Sequence, residues 1–374
     1  MVEGIRIAAA LAALSLAGTA PAAGPAAEAV TVTPAPATAV AGAALPLNIG
    51  GRVERTPDGY RRQWPGTYLE GAFRGKAALI RIGTGDIVLN VAVDGRRVAH
   101  LVKPQPGLYR IGGLAGGRHT LRIDVAGESQ SGPTMIGGLY ATGTTHPLPA
   151  PARSRRVEFI GDSHTVGYGN ISTTRTCTPA EVWATTDPAQ GVAGRLARRY
   201  DADYRVNAIS GRGIVRNYDG GIGDTLPIVY PFTLFDKVAR HDDTAWHPQL
   251  IVIALGTNDF STALHAGERW ATRSALHADY EDRYVAFVTG LRTAHPGAHI
   301  LLWATDMADG EIAAETARVA ARLHAAGDAR VAFVAVPGLA MSGCDYHPST
   351  ADDQIIADRL ATYVEAHPAL WAGR

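Results

Sequence analysis

Residues 157–164 read Val157-Glu158-Phe159-Ile160-Gly161-Asp162-Ser163-His164, the pattern of a strand that runs into a tight turn. The apolar residues at 157–160 predict a short buried strand. The strand ends abruptly at Gly161, in a tight turn that carries a serine. A serine displayed at the end of a buried strand is typical of a nucleophile held on a rigid element.

Two later stretches of the chain have a similar form. Gly256-Thr257-Asn258-Asp259 closes the apolar run 250–255, and Asp345-Tyr346-His347-Pro348 lies near the C-terminus. A serine, an amide donor and a histidine, each on a loop after a strand, are the groups that acyl transfer from an ester requires.

The chain after Pro149-Ala150-Pro151 alternates apolar strands with amphipathic helices. This alternation predicts an α/β domain over residues 152–374, with a parallel sheet and helices on both faces, of the flavodoxin-like type. The predicted strands are 157–160, 204–209, 250–255, 300–304 and 331–336, and the predicted helices are 190–200, 280–295, 311–326 and 352–366.

Residues 43–148 have a different texture and predict an all-β domain. Leu89, Val91 and Val93 alternate with less apolar residues, and the run ends at Asp94-Gly95, a hairpin signal. No helical periodicity interrupts this region. A β-sandwich, of jelly-roll type, is the economical fold.

The first residues predict an export signal. Arg6 precedes an Ala- and Leu-rich stretch, and Ala20-Pro21-Ala22 is a plausible cleavage site, which makes 1–22 a signal peptide and 23–42 a flexible linker. The alternative is a disordered alanine-rich tail. We therefore expect an exported protein, periplasmic or secreted.

The charge balance excludes two classes of partner. Lys+Arg and Asp+Glu are both 35, so the formal net charge is zero. Nucleic acid and anionic membrane surfaces favour basic patches, so neither is expected as a partner.

The placement of the polar residues predicts one shared site. Ser163, Ser210-Gly211 and Asn258 each follow a predicted strand, and His347 lies on the long loop after the fifth. Ligands bind beyond the carboxyl ends of the strands in such sheets, so these four segments should meet at one edge.

Ser163 is the predicted nucleophile and His347 the predicted general base, since an imidazole titrates near neutral pH. His164 is a rival base, although adjacent residues in a turn tend to point apart. No metal or other cofactor is expected for this chemistry.

Three groups are candidates for the oxyanion hole: the backbone N–H of Ser163, the N–H of Gly211 and the side-chain amide of Asn258. The alternative for Asn258 is a helix cap or turn residue. That structural role suits Asp259 better, and Asp162 is also interpreted as a turn residue.

Asp345 is the candidate for orienting the imidazole, with an Asx-turn as the alternative. The two cysteines of the chain lie near the same loops, Cys177 after the serine turn and Cys344 three residues before His347. In an exported chain the pair predicts a disulfide, and two free buried thiols are the alternative.

Together these residues resemble the SGNH (GDSL-type) hydrolases, in which Ser163, Gly211, Asn258 and His347 stand for the four named residues. The stretches 158–163, 166–170 and 210–218 resemble carbohydrate esterase family 2, as does an N-terminal β-domain with the motif 63–68. The resemblance implies an exported serine esterase, without metal, that deacetylates polysaccharides such as xylan or glucomannan.

One spacing departs from the general SGNH pattern. Most members place the aspartate three residues before the histidine, where this chain has Cys344, whereas Asp345 is two residues before His347. Some family 2 relatives use a Ser-His dyad, and a backbone carbonyl is then the alternative partner of the imidazole.

Tyr168, Tyr218 and Tyr346 are candidates for stacking on a sugar ring, with packing roles as the alternative. The favoured function is a polysaccharide O-acetylesterase acting on an acetylated polysaccharide or oligosaccharide. The alternatives are a lipase or thioesterase for longer acyl chains, and a glycan-binding protein with an inactive hydrolase domain.

Overall fold

The computed structural model describes Met1 and residues 29–372. Apart from Met1, the predicted signal peptide lies outside the described residues, as do residues 23–28 of the predicted linker. Among the helices of residues 29–372, none is long and apolar enough to cross a membrane.

The N-terminal region is a sandwich of two antiparallel sheets around one apolar core. Its strands are β1 (Thr31–Pro34), β2 (Leu47–Gly50), β3 (Val53–Thr56), β4 (Gly59–Arg62), β5 (Tyr68–Gly75), β6 (Ala78–Ile82), β7 (Val88–Val93), β8 (Arg96–Val102), β9 (Gly107–Gly112), β10 (Gly117–Ala126), β11 (Thr134–Ala141) and β12 (His146–Leu148). One sheet has the order β1-β9-β6-β11-β4-β3, and the other β12-β5-β10-β7-β8 with β2 also beside β5. Alternate residues point inward, as the period of two predicts.

The sandwich begins earlier in the chain than the sequence suggested. Residues 31–34 fall within the segment 23–42 that was predicted to be a flexible linker, yet they pair antiparallel with β9, Thr31 opposite Gly112. Val32 packs against the apolar core between the sheets. This burial and the ladder hydrogen bonds order a segment whose Ala, Pro and Thr content alone suggests a linker.

The C-terminal region is built on a parallel five-stranded sheet. Its strands are β13 (Arg155–Gly161), β14 (Ala202–Ala208), β15 (Leu250–Ala254), β16 (His299–Thr305) and β17 (Val331–Val336). Their order is β14-β13-β15-β16-β17. The predicted fold class, an all-β region followed by an α/β domain with a parallel sheet, is confirmed.

Helices cover both faces of this sheet. They are α1 (Ser163–Val166), α2 (Pro179–Thr185), α3 (Val192–Arg199), α4 (Leu226–Val229), α5 (Thr257–Phe260), α6 (Arg273–Ala294), α7 (Glu311–Ala325) and α8 (Thr350–Ala366). The pair α3 and α8 packs on one face, and α6 and α7 pack on the other. Helix α6 begins before the predicted residue 280 because Thr272 caps its N-terminus by accepting from the Ala275 N–H.

The two regions are packed together through buried side chains of the β-region. Trp64 is 0% exposed and its indole N–H donates to the Phe232 carbonyl at 3.1 Å. Its ring belongs to the apolar core between the sheet and α6. Tyr68 reaches the opposite face of the sheet, where its hydroxyl donates to Asp203 at 2.9 Å. The β-sandwich is therefore fixed to the α/β domain, which matters for the site described next.

Candidate active site

Ser163 lies where β13 ends, at the first residue of α1. Asp162 caps this helix by accepting from the His164 N–H at 3.1 Å, and Gly167 ends it in the left-handed region with φ of 72°. The side chain of Ser163 therefore sits on a one-turn helix fixed at both ends. The residue is 4% exposed.

His347 lies 184 residues away in the chain and meets Ser163 directly. Its Nε2 is 2.9 Å from the Ser163 Oγ. Its Nδ1 faces two main-chain carbonyls, Cys344 O at 3.0 Å and Asp345 O at 3.1 Å. A carbonyl only accepts, so Nδ1 carries the proton and Nε2 presents its lone pair to the serine hydroxyl.

The loop that supplies these carbonyls has an unusual backbone. Asp345 and Tyr346 both have positive φ, 50° and 59°, a left-handed conformation that non-glycine residues seldom adopt. A disulfide between Cys177 and Cys344 anchors the loop. Gly169 passes beneath it, where a Cβ would come within 2.3 Å of the Cys344 Cβ. The local strain is thus held by a crosslink and close packing at the site where it aims the carbonyls.

The carboxylate of Asp345 does not contact the imidazole. It accepts instead from the Tyr168 hydroxyl at 3.2 Å, and only its main-chain carbonyl faces His347. The expectation that the Asp345 side chain orients His347 is therefore corrected. With a spacing of two residues, the left-handed turn brings the peptide carbonyls over Nδ1 and directs the side chain outward.

Tyr168 packs against the catalytic candidates rather than standing free. Its ring centroid is 4.2 Å from that of His347, with 32° between the planes. Burial, followed by the nearby Asp345 charge, raises the pKa of Tyr168 to about 12, so its hydroxyl remains a donor. The position fits a residue that confines the imidazole.

Two backbone N–H groups are free at this edge of the sheet. Within residues 29–372, the N–H groups of Ser163 and Gly211 have no hydrogen-bond acceptor. Gly211 has φ of 82° and open space where a side chain would begin. Both groups are thus available to a bound oxygen atom.

Asn258 joins the two turns that carry these N–H groups. Its Nδ2 donates to the Arg212 carbonyl at 3.0 Å and to the Asp162 carboxylate at 3.2 Å. The amide lies at the predicted edge of the sheet, on α5. Both of its N–H groups already have acceptors, so donation to a substrate requires one of them to be shared.

Asp259 and Asp162 stabilise the turns. Asp259 accepts from the N–H groups of Ile214, Val215 and Arg216, and so holds the loop that follows Gly211. Burial raises the pKa of Asp259 to about 6 and that of Asp162 to about 7. These contacts agree with the structural role predicted for both residues.

His164 is buried and makes no side-chain hydrogen bond to Ser163. Its ring lies 5.7 Å from the His347 ring, edge to face, and 6.5 Å from the Trp303 ring. Burial lowers the pKa of His164 to about 3, with a smaller effect of His347. Ser163 Oγ is hydrogen-bonded to His347 and not to this rival base.

The surroundings of the site are open. Tyr346 and Tyr218 are 66% and 57% exposed, and the Tyr218 N–H donates to the Gly211 carbonyl at 2.9 Å.

A cleft of about 800 Å³ runs from Tyr168 and Asp345 to Glu128 of the β-region. A larger cavity of about 1050 Å³, around Glu158, contains none of the predicted site residues, so we assign the site by its chemistry.

The sequence reasoning missed the contribution of the β-region to this site. Glu128 and Gln130 contact the Ser210 peptide groups, although they lie about eighty residues earlier in the chain. No local pattern marks them. Within residues 29–372, no group of three or more His, Cys, Asp or Glu residues is arranged to hold a metal ion.

Comparisons with known proteins agree with this geometry. Residues 49–151 match the model of the carbohydrate esterase 2 N-terminal region, and residues 159–368 match the GDSL-like lipase/acylhydrolase family. The chain is 41% identical, over 333 residues, to an acetylxylan esterase/glucomannan deacetylase of Cellvibrio japonicus strain Ueda107. The match covers 87% of this chain and 92% of that relative.

Two solved structures extend the comparison. One is a carbohydrate esterase whose active site is described as having divergent catalytic and non-catalytic binding functions; its TM-score is 0.83 at 39% identity, covering 88% of this chain and 100% of that one. The other is a family two carbohydrate esterase from Clostridium thermocellum in complex with cellohexaose. Its TM-score is 0.76 at 29% identity, covering 87% of this chain and 99% of that one.

The Asp345 geometry leads to a first prediction. Asp345→Asn should lower kcat on 4-nitrophenyl acetate only a few-fold, because the carbonyls that face Nδ1 remain and Asn tolerates positive φ. Loss of a triad carboxylate costs about 10⁴-fold in a serine protease. A loss of that size in Asp345→Asn, with unchanged thermal stability, would show that the carboxylate orients the base.

The burial of His347 leads to a second prediction. Burial lowers its pKa below the ordinary 6.5, although the two carbonyls and the Asp345 charge oppose the shift. A general base must be neutral, so kcat/KM should be retained below pH 6.5 and fall only as the pH drops through the lowered value. Asp345→Asn should move this acid limb lower still. An acid limb above 6.5 in the wild type contradicts the assignment.

Proposed function

The chain belongs to carbohydrate esterase family 2, and we propose that it is a serine esterase that removes O-acetyl groups from polysaccharides of the xylan and glucomannan type. The observation that carries the proposal is the 2.9 Å contact between Ser163 Oγ and His347 Nε2 beside two free N–H groups. The substrate class follows from the Cellvibrio japonicus relative, an acetylxylan esterase/glucomannan deacetylase.

The first half of the reaction uses the serine and the histidine. His347 Nε2 takes the hydroxyl proton as Ser163 Oγ attacks the acetyl carbonyl carbon, and a tetrahedral oxyanion forms. The Cys344 and Asp345 carbonyls stabilise the resulting imidazolium through Nδ1. The imidazolium then gives its proton to the sugar oxygen, which leaves as a hydroxyl while Ser163 keeps the acetyl group.

The oxyanion is stabilised by donors already in place. The N–H groups of Ser163 and Gly211 supply two, and Asn258 supplies a third when its amide is shared with the substrate. Each such donor is worth about 10²–10³-fold in rate. In the second half, His347 takes a proton from a water molecule, which attacks the acetyl carbonyl carbon. His347 then returns the proton to Ser163 Oγ as acetate leaves.

The exposed tyrosines fit contact with a sugar. Tyr346 stands beside the base and Tyr218 follows the Gly211 turn, and both rings are more than half exposed. Such rings give a platform for the apolar face of a sugar. The Clostridium thermocellum relative in complex with cellohexaose supports a polysaccharide ligand for this family.

Export is part of the same proposal. The composition of residues 1–22 is that of a signal peptide, and the Cys177–Cys344 disulfide suits an oxidising compartment. A polysaccharide substrate would be met outside the cytoplasm. We infer that the mature enzyme works in the periplasm or outside the cell.

Acetate release from acetylated xylan, acetylated glucomannan and chemically acetylated cello-oligosaccharides tests the proposal. We expect release from at least one of these glycans, and Ser163→Ala should abolish it, since Ser163 Oγ is the hydroxyl bonded to the His347 base. Ser163→Ala should keep the fold and glycan binding, which serves as the control. Undiminished release by Ser163→Ala would overturn the mechanism.

The same purified protein distinguishes the alternatives. Rates on 4-nitrophenyl esters should fall from acetate to octanoate, whereas a lipase or thioesterase would show the reverse. Glycan binding without any acetate release from the whole panel would favour a binding protein with an inactive hydrolase domain.

A further inference from the structure

A loop of the β-sandwich holds the turn that carries one of the oxyanion donors. Gln130 Nε2 donates to the Ser210 carbonyl at 3.2 Å, and the Glu128 carboxylate accepts from the Ser210 N–H at 3.0 Å. Gln130 also donates to Glu128 at 3.2 Å. Both peptide groups of Ser210 are thus bound by side chains from another domain.

The loop itself is anchored on both domains. Within the sandwich, the buried Arg62 and Gln63 bond to Ser129, at 2.5 Å from Arg62 Nη2 to Ser129 Oγ and 3.0 Å from Gln63 Nε2 to Ser129 O. On the other side, the Trp183 indole N–H donates to the Glu128 carbonyl at 3.1 Å. Gln130 therefore extends from a fixed backbone, although its own side chain is exposed.

The geometry of the peptide bond connects Gln130 with the oxyanion hole. The Ser210 carbonyl and the Gly211 N–H belong to one planar peptide unit, which is trans, so the two groups point in opposite directions. A hydrogen bond on the carbonyl fixes where the N–H points. It also polarises the unit and strengthens the donor.

The Gly211 turn is placed beside the nucleophile by its neighbours. The Ile209 N–H donates to the Gly161 carbonyl at 3.2 Å, and Asn258 bridges the Arg212 carbonyl to Asp162. Gly211 itself has positive φ and no side chain to resist rotation of the adjoining peptide. The contact with Gln130 is thus a restraint from outside the turn that acts directly on the carbonyl of the Ser210–Gly211 peptide.

We propose that Gln130, held by Glu128, is a positioning residue of the oxyanion hole, so that the β-sandwich takes part in catalysis by aiming the Gly211 N–H. The inference rests on the proposed function. The role of Gln130 concerns the transition state, because the ground-state ester oxygen carries little charge for the Gly211 N–H to stabilise.

Steady-state kinetics on 4-nitrophenyl acetate test the proposal. Gln130→Ala should lower kcat about 10-fold, less than the 10²–10³-fold cost of deleting a donor, because the N–H remains but its direction is less restrained. KM and the melting temperature should stay at wild-type values. Gln130→Lys keeps an N–H donor and should retain more activity than Gln130→Ala. Gln130→Glu places a carboxylate against the Ser210 carbonyl and should have the lowest kcat of the three variants.

Inhibition by methylboronic acid gives a second readout. Its tetrahedral adduct on Ser163 places an oxygen in the oxyanion position, so its affinity should fall by the same factor as kcat/KM in each variant. Gln354→Ala is the matched control: this exposed glutamine of α8 also bonds two side chains, Arg195 and Asp358, and should change neither quantity.

The outcomes separate this proposal from the proposed function. Wild-type kcat and boronate affinity in Gln130→Ala would overturn it, as would a change confined to KM or to the melting temperature. If Ser163→Ala is inactive while Gln130→Ala is normal, only the role of Gln130 falls. If Ser163→Ala remains active, the proposed function falls first.

Discussion

The orientation of one imidazole governs the site. His347 can accept the Ser163 proton at Nε2 only while Nδ1 keeps its own proton, and the Cys344 and Asp345 carbonyls hold that proton in place. Much of the nearby architecture maintains this arrangement. The disulfide to Cys177 fixes the carbonyl-bearing loop, Gly169 lets the chain pass beneath it, and the Tyr168 ring confines the imidazole.

The β-sandwich is part of the same construction. Trp64 and Tyr68 are buried in the two apolar cores of the α/β domain, one on each face of the sheet, so the sandwich is fixed relative to the catalytic edge. A fixed sandwich can carry Glu128 and Gln130 against the Ser210–Gly211 peptide with useful accuracy, since catalytic geometry tolerates little displacement. This arrangement gives a physical reason for two domains in one esterase.

The sequence predicted the sheet well because buried parallel strands are near-continuous apolar runs, and four of the five were followed by a polar segment of the site. Because ligands bind beyond the carboxyl ends of the strands in such sheets, the sequence also predicted that Ser163, Gly211, Asn258 and His347 lie at one edge. The prediction that the Asp345 side chain orients His347 was wrong. The sequence does not distinguish a carboxylate from a main-chain carbonyl at the same spacing. The sequence also did not predict the contact of Gln130 with the Ser210 carbonyl. The partner is a main-chain group in the other domain, and such a contact leaves no residue pattern to detect.

Detection of an acetyl group on Ser163 tests the proposed mechanism directly. We would mix the enzyme with excess 4-nitrophenyl acetate, quench in acid within milliseconds, digest, and locate acetyl groups by mass spectrometry. One acetyl group should be found, on the Ser163 hydroxyl, and His347→Ala should abolish it. Hydrolysis that proceeds at full rate with no acetylated Ser163 peptide, or with the acetyl group on another residue, would overturn the proposed mechanism.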